Sequence, residues 1–480
     1  MPAILPQLGA STQSLIRGAY GVLMIATLLQ ALPEARRFFI SDRWRGYAKS
    51  QPDVDLIQNP IVMPLLLAAW FAANAALVAG WAAPWAAMVN LVFCRYFFIH
   101  MRWKGILRGM GAPGFMSYWL GASVCLLEVT RRWAAPVFPL ALLAAQIDFA
   151  FIMLSAGVYK FTAGYPHNHG MELGMCNPMW GYWWRWYAAK RPNSAVFWTM
   201  NQLAWSTEVV AALLMLVPAT RELGALLIIF SFIFIATQIR LGFLTEMVMV
   251  SGLLFMSPSQ FLGSRLDALL GGSAAPAAAT LEPLMTLLWI GIGAYMVLLP
   301  LAHAGLFFNF YAGRSLPAPL QRALERYTNF FGIIIWRVFS VDLVNFFIRL
   351  SRQHGGERIA LRPLGSWPRF NHVGEMICLT SLFTTLKYYP SNDRVFHERV
   401  VRYARTLPRE PGDHLVFEYV SVVRRDDRFD WVTVGEFEVD PEADAIVERW
   451  FDDSISPRAA HAVSPVHEGA VPGSYRPATS

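Results

Sequence analysis

Lys160 is the side chain best placed to do chemistry. It closes the apolar run DFAFIMLSAGVYK (148–160), and a loop dense in Gly, Pro, His and Trp follows before apolar sequence resumes near residue 197. A lysine at such a boundary can be an anchor, its stem in hydrocarbon and its ammonium in water. It can equally be a base, because desolvation disfavours the ammonium and brings the amine into a useful range near neutral pH. Position alone leaves both readings open. Glu208, Arg240 and Glu246 fall within neighbouring apolar runs. There they are expected to face a protein interior and can pair with one another, either as a structural ion pair or as a substrate-orienting network. Asp148 precedes Lys160 by about 18 Å of ideal helix and is read separately.

The loop itself offers two further constellations. HNHGME places His167, His169 and Glu172 within six residues, a set that could ligate a metal or could simply be solvated loop side chains; no second cluster supports a metal. Trp180 and the GYWWRWY that follows it read either as an interfacial aromatic belt or as the mouth of a quinone or lipid entrance.

These residues need a scaffold, and composition names its class. The 480 residues are 55% hydrophobic and 15% charged, too apolar for an ordinary soluble globule. Repeated apolar runs of spanning length predict an all-α polytopic membrane bundle of about 8–10 spans, and 18 Trp with 33 Phe fit aromatic belts. Net charge is +7, but the basic residues flank apolar runs, which indicates lipid headgroups as partners and not nucleic acid. The four cysteines form no CxxC pair, so neither a disulfide framework nor a zinc site is indicated. The N-terminus has no basic n-region or cleavage site, and the first apolar run is expected to stay in the mature protein.

Spans are expected at 15–32, about 60–82, from 83 to His100, over FMSYWLGASVCLLEV, from Pro136 to Lys160, at 197–217, and at about 222–257 as two runs broken by Gln238, Arg240 and Glu246. A small-residue linker precedes a further span at about 284–306. The segment 328–350, with Arg337, Asp342, Asn345 and Arg349 among large apolar residues, reads as an amphipathic helix lying in the interface. Beyond it a small α+β soluble domain (351–460) is expected. There NDRVFHERVVRYARTL reads as helix, HLVFEYVSVVRRDDRFDWVTVGEFEVD as a hairpin turning at its charge run, and 461–480 as a disordered tail. The remainder divides into a bundle at 1–260 and a linker with further span and helix at 261–350.

Three segments carry a resemblance. FIMLSAGVYKFTAGY…HGMELG resembles the catalytic-lysine segment of the vitamin K-dependent γ-glutamyl carboxylases, and of the related bacterial horizontally transferred transmembrane domain family. The resemblance places Lys160 on the catalytic lysine, with Tyr159 replacing a neighbouring lysine and Tyr165 standing where the family has tryptophan. CRYFFIHMRW is similar to the segment bearing a functionally important histidine, which implies that role for His100. TQIRLGFLTEMVMVSGLLF is similar to a further run, with Gln238 on its glutamine; Ile233 replaces a family histidine, and Arg240 and Glu246 are additions.

The likeness covers about residues 15–260 and implies a membrane enzyme in which Lys160, with His100 nearby, deprotonates a quinol-type cofactor or another lipophilic substrate. Substrate contacts are expected at Tyr165 and Gln238 from the likeness and at Trp180, Glu208, Arg240 and Glu246 from the aromatic loop and the buried charge set, with a bacterial inner-membrane location. The likeness puts the C-terminal domain on the non-cytoplasmic side, whereas the basic short loops put the same face in the cytoplasm. Residues 351–480 do not match the soluble domain of those enzymes, so which quinone or peptide is the substrate does not carry over. The competing class is a non-catalytic lipid or quinone binder, or a maturation or immunity partner of a secreted peptide. A transporter ranks third, since no inverted repeat or broken helix pair is visible.

Overall fold

The computed structural model describes residues 5–101, 112–271, 281–336, 344–361, 369–388 and 393–452. Helices dominate: α1 (Ala10–Ala31), α2 (Val62–Ala79), α3 (Ala83–Cys94), α4 (Ala112–Trp133), α5 (Phe138–Thr162), α6 (Ala195–Leu216), α7 (Arg221–Gln238), α8 (Leu244–Gly252), α9 (Glu282–Ala312) and α10 (Ala318–Phe331). Near the C-terminus α11 (Arg369–Tyr388) and α12 (Asp393–Arg405) accompany five strands, β1 (Phe346–His354), β2 (Glu357–Ala360), β3 (His414–Arg424), β4 (Phe429–Asp440) and β5 (Ala445–Trp450).

Five helical stretches among the described residues are long and apolar enough to cross a membrane: Ala10–Phe39, Val62–Ala79, Ala135–Thr162, Arg221–Gln238 and Glu282–Ala312. The expected third and eighth spans are shorter, and the expected fourth and sixth, α4 and α6, have the length but are not among the five. α3 stops at Cys94 and runs into a widened turn, Arg95–His100, of the kind with i to i+5 hydrogen bonding. α8 begins only after an extended break at Ile239, as the polar set there had led us to expect. α5 is the central helix. It packs against α6 on one side and α9 on another, and most of its residues from Ala141 to Lys160 are buried.

The strands form one antiparallel sheet in the order β2-β1-β3-β4-β5. The expected hairpin is there: β3 and β4 pair from Leu415↔Val439 to Arg424↔Phe429, and the charge run makes the turn. The helix at NDRVFHERVVRYARTL is there as well. Phe383 on α11 meets Phe396, Phe417 and Phe437, which welds both helices to the sheet face.

The amphipathic helix expected at 328–350 is corrected. Helix α10 ends at Phe331, its chain stopped by Gly332 in the left-handed region, and from Phe346 the chain is strand β1. Its register along β3, Phe346↔Ser421 to Gln353↔His414, supplies backbone partners that helical spacing of charges does not reveal. The sheet thus starts before the expected boundary at 351. Arg349 lies on β1, 3.6 Å from Glu418, while Arg337, Asp342 and the tail at 461–480 lie outside the described residues.

The C-terminal domain is docked on the helices. Arg37, beyond α1, bonds Glu375, which also accepts from Tyr403, and Asn177 Nδ2 donates to the carbonyls of Val344 (2.8 Å) and Phe346 (2.9 Å). The loops after α1 and α5 therefore share a face with the sheet.

Candidate functional site

Lys160 and Glu208 form a buried ion pair between α5 and α6, each residue only 4% exposed. Close approach of the two helices makes the pair. A Cβ on Gly157 would lie 2.9 Å from the Trp205 carbonyl oxygen and 2.7 Å from Val209 Cγ2, so glycine lets the backbones meet one turn before Lys160. Glu208 uses Oε1 for the lysine; Oε2 is buried with no hydrogen-bond partner. An ammonium on one carboxylate oxygen, with the other left open, is an arrangement that can hold or pass a proton.

The loop after α5 roofs this pair. Tyr165 is fully buried, and its ring lies where a side chain on Gly170 would be, 2.4 Å from the position of a Cβ there. Burial pushes the Tyr165 phenol well above its ordinary value, with Glu208, Tyr159 and Glu172 adding to the effect. Below the ring, Glu172 is fully buried and saturated. It accepts from Gly170 N (2.9 Å), from Asn201 Nδ2 (2.9 Å) and from Arg424 Nη1 (3.2 Å). Asn201 also donates to Asn168 Oδ1 (2.8 Å) and accepts from Met171 N (2.8 Å). Arg424, at the end of β3, additionally bonds the Asn168 carbonyl and the Asn193 side chain. Trp431 Nε1 reaches the Cys176 carbonyl at 3.2 Å, and its ring meets Trp184 at 5.3 Å. The sheet is therefore part of the roof.

The remaining expected site residues separate into groups. Arg240 does not pair with Glu208 or Glu246, which corrects that expectation. Its Nη1 donates to the carbonyls of Pro178 (3.0 Å) and Gly181 (2.8 Å), and its guanidinium lies over the Tyr182 ring. Its backbone N donates to the Trp180 carbonyl (2.8 Å), while Gln238 accepts from Tyr187 Oη (2.7 Å). Trp180, Gln238 and Arg240 thus join the break between α7 and α8 to the aromatic loop. Glu246 accepts from Thr245 Oγ1 (2.7 Å).

His100 stands apart. Its side chain is half exposed, 3.5 Å from Asp53 and stacked on Tyr96, and none of these contacts touches Lys160 or the loop. His167 and His169 are exposed. His169 comes within 3.7 Å of Glu172, but the other Glu172 contacts are protein donors, and no group of three metal-ligating side chains occurs among the described residues.

Sequence reasoning missed Asn201 as the polar hub and Arg424 as the latch. The polar density of HNHGME was a signal for the first. Nothing in RRDDRFDW marks one arginine as reaching a loop some 250 residues earlier. Comparisons with protein-family models, with curated proteins and with solved structures find no match to this chain, so the reading of the site rests on its own geometry.

Proposed function

We propose that the chain is a multi-pass membrane protein whose Lys160–Glu208 pair takes a proton from a lipophilic substrate bearing an acidic hydroxyl, of quinol type. The observation that carries this reading is the buried pair itself, at the end of a long apolar helix, with one carboxylate oxygen free and an aromatic loop closing over it. The bundle reading draws on α9, where Leu287, Ile290, Val297 and Leu301 are all exposed; an apolar face of that size suits lipid and not water.

The chemistry follows from the pair. As the substrate O–H breaks, its proton goes to Lys160 Nζ while the lysine passes one of its own to Glu208. The products are an oxyanion beside an ammonium and a neutral carboxyl. Charge is conserved within the site, and the ammonium stabilises the oxyanion as it forms. Tyr165 keeps water from the pair. The resemblance to the carboxylases agrees with this role for Lys160; His100 does not contribute to the pair, and its part in the reaction is not carried over. A second reading, a lipid or quinone binder without chemistry, draws on the same salt bridge, since an ammonium already neutralised is a stable structural element.

The test is to express wild type, Lys160→Ala and Glu208→Gln in a bacterial host and to compare quinone, lipid and peptide-mass profiles. The proton-transfer reading expects both variants to shift the same product or precursor. Three identical profiles, with the proteins folded and present in the membrane fraction, would overturn it in favour of the binder.

A further inference from the structure

Asp148 is a buried carboxylate with no lysine, arginine or histidine among its hydrogen-bond or ion-pair partners within the described residues. Both of its bonds fall on one oxygen: Trp119 Nε1 (2.8 Å) and Tyr295 Oη (2.7 Å) each donate to Oδ2. Lys160, about 18 Å along the same helix, is engaged by Glu208 and cannot compensate it. A bare carboxylate midway along a spanning helix is costly and needs a counter-charge. A proton is the simplest one; a ligand cation is the other, and neither hydrogen bond engages Oδ1, where it would sit.

The surroundings are aromatic. Trp119 and Tyr118 come from α4, Tyr295 from α9, and Tyr327 and Phe331 from α10; the Tyr295 ring is 6.5 Å from Tyr327 and 5.0 Å from Phe331. The Tyr118 and Tyr327 hydroxyls lie within electrostatic reach of Asp148, and Tyr327 Oη is buried with no hydrogen-bond partner. Trp336, 2% exposed, packs 6.1 Å from Phe115, one helical turn from Trp119, and its indole Nε1 also has no partner. Aromatic side chains around a single carboxylate suit a cation of low hydration better than a strongly hydrated one. A hard metal ion would ask for more oxygen ligands than one carboxylate and neutral phenols provide.

We propose that Asp148, with Tyr118, Trp119, Tyr295 and Tyr327, forms a second binding site for a lipophilic ammonium, a protonated or quaternary amine on an apolar body. The carboxylate neutralises the head, the rings surround it, and the body lies along the apolar helices. The site rests on the membrane reading above but not on any proton transfer at Lys160.

The test uses the full-length protein in a neutral maltoside detergent, with labelled dodecyltrimethylammonium as probe and dodecanol as neutral competitor. Binding is expected to saturate at one equivalent, to weaken at least tenfold in Asp148→Asn and several-fold in Tyr327→Phe, and to stay within twofold in Lys160→Ala. Dodecanol should not compete. Binding that does not saturate, or that survives Asp148→Asn within twofold, would overturn the site. Loss in Glu208→Gln with retention in Asp148→Asn would assign the cation to the other carboxylate and also overturn it. A measurement on wild type alone covers the case in which Asp148→Asn fails to fold. Dicyclohexylcarbodiimide labelling of Asp148, read by peptide mass, should be suppressed by the ammonium; ready labelling without protection would mean that the counter-charge is a proton.

Discussion

Glu208 and Asp148 are both carboxylates buried beside the axis of α5, and they are treated in opposite ways. Glu208 meets an ammonium from the neighbouring helix, and its site is neutral as it stands. Asp148 meets two neutral donors on one oxygen and, among the described residues, no cation. Burial alone therefore does not tell whether a carboxylate's charge is already balanced. The partner set does, because the cost of desolvating a carboxylate is offset by a cation in one case and left standing in the other.

Breaking the paired site should have the largest effect. Lys160→Ala leaves Glu208 buried without its cation and is expected to cost about 3–5 kcal/mol of stability. Removing both charges with Lys160→Met and Glu208→Leu should return most of that loss. Thermal unfolding in detergent of Lys160→Met, Glu208→Leu and the double variant, run as a double-mutant cycle, measures the coupling; losses that simply add would mean that the pair contributes nothing.

Next in size is the latch that ties the sheet to the roof. Arg424→Ala strips a charge-assisted bond from the fully buried Glu172 and is expected to cost about 2–3 kcal/mol. The more specific readout is faster hydrogen exchange in the loop around 164–177, which a defect confined to the sheet would not produce.

The unpaired site should respond more gently. Asp148→Leu orphans Trp119 Nε1 and Tyr295 Oη and is expected to cost about 1–3 kcal/mol, whereas Asp148→Asn keeps an acceptor for both and should cost under about 1 kcal/mol. Reversal of that order would remove the contrast with Glu208. His303, on α9 against Phe151, is buried with neither ring nitrogen bonded. His303→Leu should therefore be neutral or stabilising by about 1 kcal/mol on the same melts.

The smallest effect lies outside the helices and serves as a control. Asp413 is held below the usual carboxylate range by a backbone bond from Glu410, then by His354 and Arg352. Its folded value is depressed, so the stability it gives is present above the unfolded value near 4 and is lost as pH falls through the folded value. Asp413→Asn should flatten the acid limb of sheet-domain unfolding, followed by hydrogen exchange below about pH 4, and should leave both carboxylates on the α5 side unaffected.

Much of this was legible in residue order. Long apolar runs needed no partner to be recognised as helices, and the break at Gln238–Arg240, the helix at 393–405 and the β3–β4 hairpin followed from local pattern, since period and turn chemistry are local properties. Lys160 was marked by its place at the end of α5. What that lysine touches was not marked. Arg240 and Glu246 were open as partners for Glu208, and only the packing of α5 on α6 across Gly157 gave it to Lys160.

The sequence by itself determined a chain rich in apolar helices, a charged residue where the central one ends, and a sheet-bearing C-terminal region. Tertiary structure alone decided which charges neutralise each other, that 346–354 is a strand, and that Arg424 closes over Glu172. Periodicity reports how a residue faces its own helix or strand. Ion pairs, sheet register and domain docking depend on which distant segment arrives opposite, and that is set by the packing of the whole chain.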